Sequence, residues 1–172
     1  MIRSHPKDFR PLQPDGHLDL NGIERIPYRL PELIKSIQSH ETIFITEGEK
    51  DCDRGNEIGL SCTTFPSGTG KFQDEYSQYF KNAEVVILPD NDKPGIQGAQ
   101  KIAHKLSHSA KSVRISELPN LGPITEHHGK DFSDWLDIPG NDAEKLQELA
   151  KSALRITPPP LWLGSVSYTH LT

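Results

Sequence analysis

Cysteine is nearly absent: Cys52 and Cys62 are the only two in 172 residues. That excludes a disulfide framework and a zinc site built from four thiolates, and both thiols are expected as small buried hydrophobes. Long apolar runs are missing too. The hydrophobic share is 34% and the mean hydropathy is -0.58, and no stretch reaches the roughly 18 to 20 apolar residues of a membrane helix. No membrane association is expected. The N-terminal residues MIRSHPKDFRPLQPDG lack the apolar segment of a signal peptide, so the expected location is the cytoplasm. An excess of positive charge is also lacking, with 19 Lys and Arg against 24 Asp and Glu for a net charge of -5. That balance argues against a protein that coats DNA through phosphate contacts alone. An enzyme with an acidic metal site behind a local basic rim remains compatible with this balance.

What is present is a regular alternation. Asn21-Gly22 between alternating segments signals a hairpin, because both residues tolerate the positive φ of a type I′ turn. Pro31 with Leu30, Leu33, Ile34 and Ile37 predicts a short amphipathic helix over about 31–39. From residue 42 onward, strands are predicted at Thr42 to Thr46, Cys62 to Phe65, Val85 to Leu88 and Val113 to Ile115. Helical stretches lie between them, around Lys50 to Ile58 and Ile96 to Leu106. Phe132 to Leu136 predicts a short helix. A last helix is expected with Asn141 as its cap and the stripe Leu146, Leu149, Ala150, Ala153 and Leu154. Strands alternating with helices imply an α/β fold: a central, roughly four-stranded, mainly parallel sheet flanked by helices, preceded by a small hairpin. No fifth strand is legible. The expected organisation is 1–40 for the hairpin and lead-in helix, 41–156 for the α/β domain, and 157–172 for a Pro-rich linker and tail. The closing VSYTHLT resembles translated sequencing-adapter read-through, so the C-terminus is expected to be truncated or artefactual.

Ligands of open α/β sheets bind beyond the carboxyl ends of the strands. Glu47 follows the first main strand, FPSGTGKF the second, PDNDKPG the third, and GKDFSDWL comes after the fourth. FPSGTGKF is not a P-loop: the required first glycine falls on Phe65 and the required Ser or Thr on Phe72. Gly68 and Gly70 can still admit a phosphate close to the backbone, and Lys71 can meet it as a cation. Asp90 and Asp92, two apart, point to one side if strand geometry persists, and with Glu47 would suit Mg²⁺. Taken alone, PDNDKPG also reads as a surface turn. Glu47 could be a metal ligand, a general base or a helix-entry acid, and Asp131 a helix cap as well as a site acid.

In this order, Glu47-Gly48-x-x-Asp51, a glycine-containing loop, Asp90-x-Asp92-x-x-Gly95 and Lys130-Asp131 resemble the toprim domain of DnaG-type primases, topoisomerases and related nucleases. EGEKD, GTGKF, PDNDKPG and GKDFSDWL together are most similar to phage and plasmid primase-helicases, over roughly residues 40–137. The resemblance implies a compact toprim (Rossmann-like) sheet, Mg²⁺ or Mn²⁺, and nucleotidyl transfer that makes primers in DNA replication. Its substrates would be single-stranded DNA template and nucleoside triphosphates, and its partner a helicase domain or subunit. By position it assigns Glu47, Asp90 and Asp92 to metal and catalysis, Asp131 as a further catalytic acid, and Lys50, Gly68, Gly70 and Lys71 to nucleotide or nucleic-acid contacts. Pro94 stands where many relatives have a small residue, and these 172 residues contain neither a cysteine-rich zinc module nor a helicase P-loop. A DNA-binding accessory module without catalysis and a metal-dependent nuclease are the alternatives. A receiver domain fits poorly, since Glu47 and Glu49 imitate its acidic pair badly. His104 with His108 and His127 with His128 read as surface, and Trp135 as a core anchor. Lys71→Ala is expected to weaken binding of nucleotide or nucleic acid while leaving metal binding intact, as a titration with each ligand separately would register.

Overall fold

The computed structural model describes residues 2–4, 8–10, 25–66 and 68–158. The hairpin expected around Asn21-Gly22 and the tail beyond residue 158 lie outside them. Near the N-terminus, β1 (Ile2–Ser4) and β2 (Asp8–Arg10) form a three-residue antiparallel ladder.

The main body is built on a five-stranded sheet. Its strands are β3 (Thr42–Ile45), β4 (Ser61–Thr63), β5 (Glu84–Ile87), β6 (Ser112–Ile115) and β7 (Arg155–Ile156), in the spatial order β4-β3-β5-β6-β7. The first four are mutually parallel and β7 runs antiparallel against β6. TIFI and EVVI are apolar on both pleat faces because both faces are covered. Ile43, Ile45, Val85 and Ile87 face one layer, packing with Leu33 of α1 (Leu30–Gln38) and Ala99, Ile102 and Leu106 of α3 (Lys93–Leu106). Phe44, Val86 and Leu88 face the other, against Cys52 of α2 (Glu49–Glu57), Phe132 and Trp135 of α4 (Phe132–Leu136), and Leu146 of α5 (Ala143–Ser152). The alternation of strand side chains thus divides one sheet into two cores.

The order of the strands positions the site. From β3 the chain winds through α2 to β4 on one side, then returns to pair β5 on the other side of β3. The winding direction therefore reverses between β3 and β5, and a crevice opens there at the carboxyl ends of the strands. Residues Ile45 and Ile87 are register partners, so the chains leave the two central strands side by side.

Two expectations need correction. The sheet has a fifth strand, just after the expected end of the last helix: α5 stops at Ser152 and the chain turns back as β7. Leu154, placed on the helix stripe, is 86% exposed. The cap of α5 is Asp142, whose carboxylate accepts the Lys145 N–H at 2.9 Å. Asn141 instead donates to the Trp135 carbonyl at 2.8 Å, tying α5 to the end of α4. Between β4 and β5, Thr69–Lys71 and Asp74–Phe80 form 3₁₀ turns. Tyr76 of the second stacks on Phe65 with ring centroids 5.1 Å apart.

The exposed edge of β4 is covered by the segment leading into α1: the Tyr28 N–H donates to the Thr64 carbonyl at 2.8 Å and the Thr63 hydroxyl to the Tyr28 carbonyl at 2.7 Å. That removes an edge available for aggregation. On the other face, α2 approaches β4 so closely that a Cβ on Gly55 would stand 2.3 Å from Cys62 Sγ. Gly55→Ala is expected to destabilise the fold by about 1 to 3 kcal/mol through overpacking, and Cys62→Ala in the same chain to recover part of that loss in denaturant unfolding.

Candidate active site

Glu47 leaves β3 with its backbone fixed from several directions. The Thr46 N–H donates to the Thr63 carbonyl at 3.1 Å and the Thr64 hydroxyl to the Glu47 carbonyl at 3.1 Å. Its carboxyl group is half-buried and faces Asp90, the second residue after the buried Leu88 at the end of β5, with the Thr69 hydroxyl interacting from the neighbouring loop. Burial raises the Glu47 pKa above the usual glutamate value, with Thr69 working in the opposite direction. Burial, then the Glu47 charge, pushes Asp90 up to about 8. Two carboxyl groups this close cannot both ionise freely, so they titrate as a coupled pair with proton affinity raised on both.

The close approach depends on Gly95 in the first turn of α3. A Cβ there would lie 2.8 Å from Glu47 Oε1 and 2.8 Å from the Asp90 carbonyl oxygen. Only glycine lets the N-terminus of this 14-residue helix reach the carboxyl pair, where its partial positive charge favours anions. Gly98, one turn later, leaves room for Thr69: a Cβ would come within 3.2 Å of the Thr69 hydroxyl oxygen. The loop after β4, α3 and Glu47 are thus packed on one another.

Asp92 takes a different position from the one expected. The Asp92 N–H donates to the Asp90 carbonyl at 2.8 Å, a three-residue turn that ends the strand geometry and separates the two side chains. Asp92 caps α3, accepting from the Gly95 N–H at 2.8 Å and from the Gly129 N–H at 2.9 Å. Gly129 lies against the Asn91–Asp92 peptide so tightly that a Cβ would be 2.4 Å from the Asn91 carbonyl carbon. The Asn91 N–H reaches the Lys130 carbonyl at 2.8 Å, completing the clamp. Glu47, Asp90 and Asp92 are therefore neighbours in charge, but among the described residues no set of three Asp, Glu, His or Cys side chains forms a ready metal-ligand cluster. The Glu47 and Asp90 carboxyls do match the donor chemistry of a hard divalent cation, which needs only one or two protein carboxylates and completes its shell with water or phosphate.

Asp131 caps α4 in a reciprocal box with Asp134, and Lys50 holds its second oxygen at 3.0 Å. Lys50 remains 70% exposed. Beneath this pair, buried Asp51 accepts from the backbone N–H and the hydroxyl of Ser133. Arg54 donates to the Ser133 carbonyl and pairs with Asp137. These contacts fasten α2 to α4. Gly68 has φ 81° and would, with a Cβ, press 3.3 Å from the Glu47 carbonyl oxygen, whereas Gly70 has open space around it. Lys71 is exposed and forms no ion pair among the described residues. The structure brings Glu47, Asp90, Asp92, Asp131, Lys50 and Gly68 to one edge of the sheet. Thr69 was not singled out from sequence, whereas Gly95 and Gly129 stood in the motifs Asp90-x-Asp92-x-x-Gly95 and GKDFSDWL without a role of their own. Trp135 is fully buried, stacked on Phe132.

No protein-family model matches the sequence, and no curated protein matches it. The fold is similar to a solved structure, the Aquifex aeolicus primase (zinc-binding and RNA polymerase domains), with a TM-score of 0.62 and 20% sequence identity. The similarity covers 90% of this chain and 36% of that one, so the chain spans about a third of that protein's length. The fold is primase-like.

The raised Asp90 pKa has a consequence for stability. The folded state binds a proton there that the unfolded chain releases near 3.8, so stability is fully present below that value and is lost as pH rises toward about 8. In the absence of divalent cations the melting temperature is expected to fall across this window and to flatten in Asp90→Asn. Equal pH slopes in the two proteins would contradict the coupled pair.

Proposed function

We propose that this chain is the toprim nucleotidyl-transfer core of a DNA primase or primase-helicase, extending primers on single-stranded DNA with nucleoside triphosphates. One observation carries the reading: two carboxyl groups are held against each other at the winding reversal of a primase-like fold, with the N-terminus of α3 brought to them by Gly95. Two carboxyls buried together need a proton or a cation between them, and a divalent cation that displaces the proton would be held by Glu47 and Asp90, which supports them as the groups for Mg²⁺ or Mn²⁺. When bound, the metal supplies positive charge that offsets the charge developing on the phosphates during displacement.

The remaining steps fall to the protein. A primer 3′-hydroxyl forms a bond to the α-phosphorus of the incoming nucleotide, the bond to pyrophosphate breaks, and Glu47 accepts the hydroxyl proton. A carboxylate whose pKa is raised by burial is a stronger base than one in water. Asp92 acts by position, fixing the first turn of α3 and the backbone at Gly129 beside Asp90. Asp131 is the further acid of the edge and orients Lys50, while Lys71 and the backbone at Gly68 and Gly70 offer contacts to phosphates. A helicase domain or subunit is the partner the reading calls for.

The test is a labelled-nucleotide assay on a single-stranded template. Primer products requiring Mg²⁺ or Mn²⁺ are expected, with Glu47→Gln reducing the rate about 10²- to 10⁴-fold and Gly95→Ala giving a comparable loss by forcing Glu47 from Asp90. Cleavage of the DNA, abolished in Asp92→Ala, would replace this reading with a nuclease. DNA binding without products under any metal would replace it with an accessory module.

A further inference from the structure

Asn91 occupies the open position of the motif Asp90-x-Asp92, and the structure ties it into the loop between β6 and α4. Its N–H donates to the Lys130 carbonyl at 2.8 Å, and its carbonyl accepts from the Thr125 N–H at 3.2 Å. Its side-chain amide donates to the Gly122 and Pro123 carbonyls, both at 3.2 Å. Two residues on, the Lys93 N–H donates to the Thr125 carbonyl at 3.0 Å, and Asp92 and Thr125 form a parallel bridge. Leu118 and Leu121 anchor the start of the loop in the second core, and Phe132 follows its end. Every residue from Gly122 to His128 is exposed, so no buried side chain holds this stretch. Its polar contacts to residues 91–93 hold it instead.

The same backbone sets the direction of Asp90. The peptide joining Asp90 to Asn91 accepts the Asp92 N–H on its oxygen and donates to Lys130 from its nitrogen, while Gly95 presses against the Asp90 side. We propose that Asn91 is a positioning residue: by pinning the 122–125 segment it fixes this peptide, and with it the Asp90 carboxyl, for the divalent cation shared with Glu47. The assignment rests on the metal part of the nucleotidyl-transfer reading and adds a coupling to it, in which loop order and cation binding favour each other. Such coupling is reciprocal. A pinned loop that holds Asp90 toward the cation tightens binding, and the bound cation must then slow opening of the loop. Aspartate at position 91 keeps the size of the side chain but turns oxygens toward two carbonyls, removing both donors.

Mn²⁺ titration of the full chain, followed by electron paramagnetic resonance, and hydrogen exchange of segment 122–129 test the pin without requiring turnover. Saturating Mn²⁺ is expected to slow exchange across this segment in the unaltered chain. Asn91→Ala should weaken Mn²⁺ binding about tenfold, as loss of the contacts that orient metal ligands does, and speed exchange of the segment about five- to tenfold. Asn91→Asp should speed exchange to the same degree. Glu126→Gln, which removes the exposed ion pair with Lys93, should leave both quantities unchanged. A merely structural role predicts faster exchange in Asn91→Ala with unaltered Mn²⁺ affinity, and that result would overturn the proposal. Exchange indifferent to Mn²⁺ in the unaltered chain, or equal losses in Glu126→Gln, would overturn it too. No Mn²⁺ binding by the unaltered chain would remove the pin together with the metal assignment. The primer assay separates the readings: Mn²⁺ binding that depends on Asp90 and Asn91 without primer products supports the pin and sinks the polymerase, whereas unaltered kcat in Asn91→Ala sinks the pin alone.

Discussion

Everything at this edge of the sheet depends on holding Glu47 and Asp90 together. Two carboxyl groups repel once ionised, and half-burial removes the water that would screen them. The two central strands deliver the pair because Ile45 and Ile87 are in register and the winding direction reverses between them. The N-terminus of α3 then closes on both groups, which only a residue without a side chain at position 95 permits. The unfavourable contact is carried by the apolar burial of TIFI and EVVI on both faces, since those strands cannot separate without exposing two cores.

Several polar contacts around the pair join segments distant in sequence and take up a backbone donor or acceptor. Asp92 connects the first turn of α3 with Gly129, and Asp51 connects α2 with Ser133. Buried carboxylates that accept backbone N–H groups are satisfied, whereas Glu47 and Asp90 mainly face each other. That contrast separates acids that hold the site from acids left available for chemistry. It also makes the loop from β6 to α4 part of the site wall, because Asn91, Lys93 and Asp92 all bond to it.

Much of the fold was legible. The four parallel strands and the helices at α1, α2, α3 and α4 follow from apolar periodicity together with Pro31 and Gly59, the latter at φ 84°. What escaped has physical reasons. β7 is two residues long and is a strand only because β6 offers it an edge. The 3₁₀ turn at Asp74–Phe80 is held by Tyr76 and Phe80 reaching the core. Asp142 and Asn141 are equally good caps in isolation, and the Trp135 carbonyl decides between them by engaging Asn141.

In the site, the sequence alone placed acids and lysines after the ends of successive strands, because strand and helix periods read directly from apolar spacing. It ordered Glu47, FPSGTGKF, PDNDKPG and GKDFSDWL along one edge and rejected a P-loop by counting. Tertiary structure alone decided that Asp92 turns away from Asp90 to cap α3, since a single hydrogen bond from its own N–H to the Asp90 carbonyl breaks the two-residue alternation. It also decided which glycines are required. Gly95 and Gly129, which the sequence offered only as members of motifs, are fixed by what packs against them across the fold.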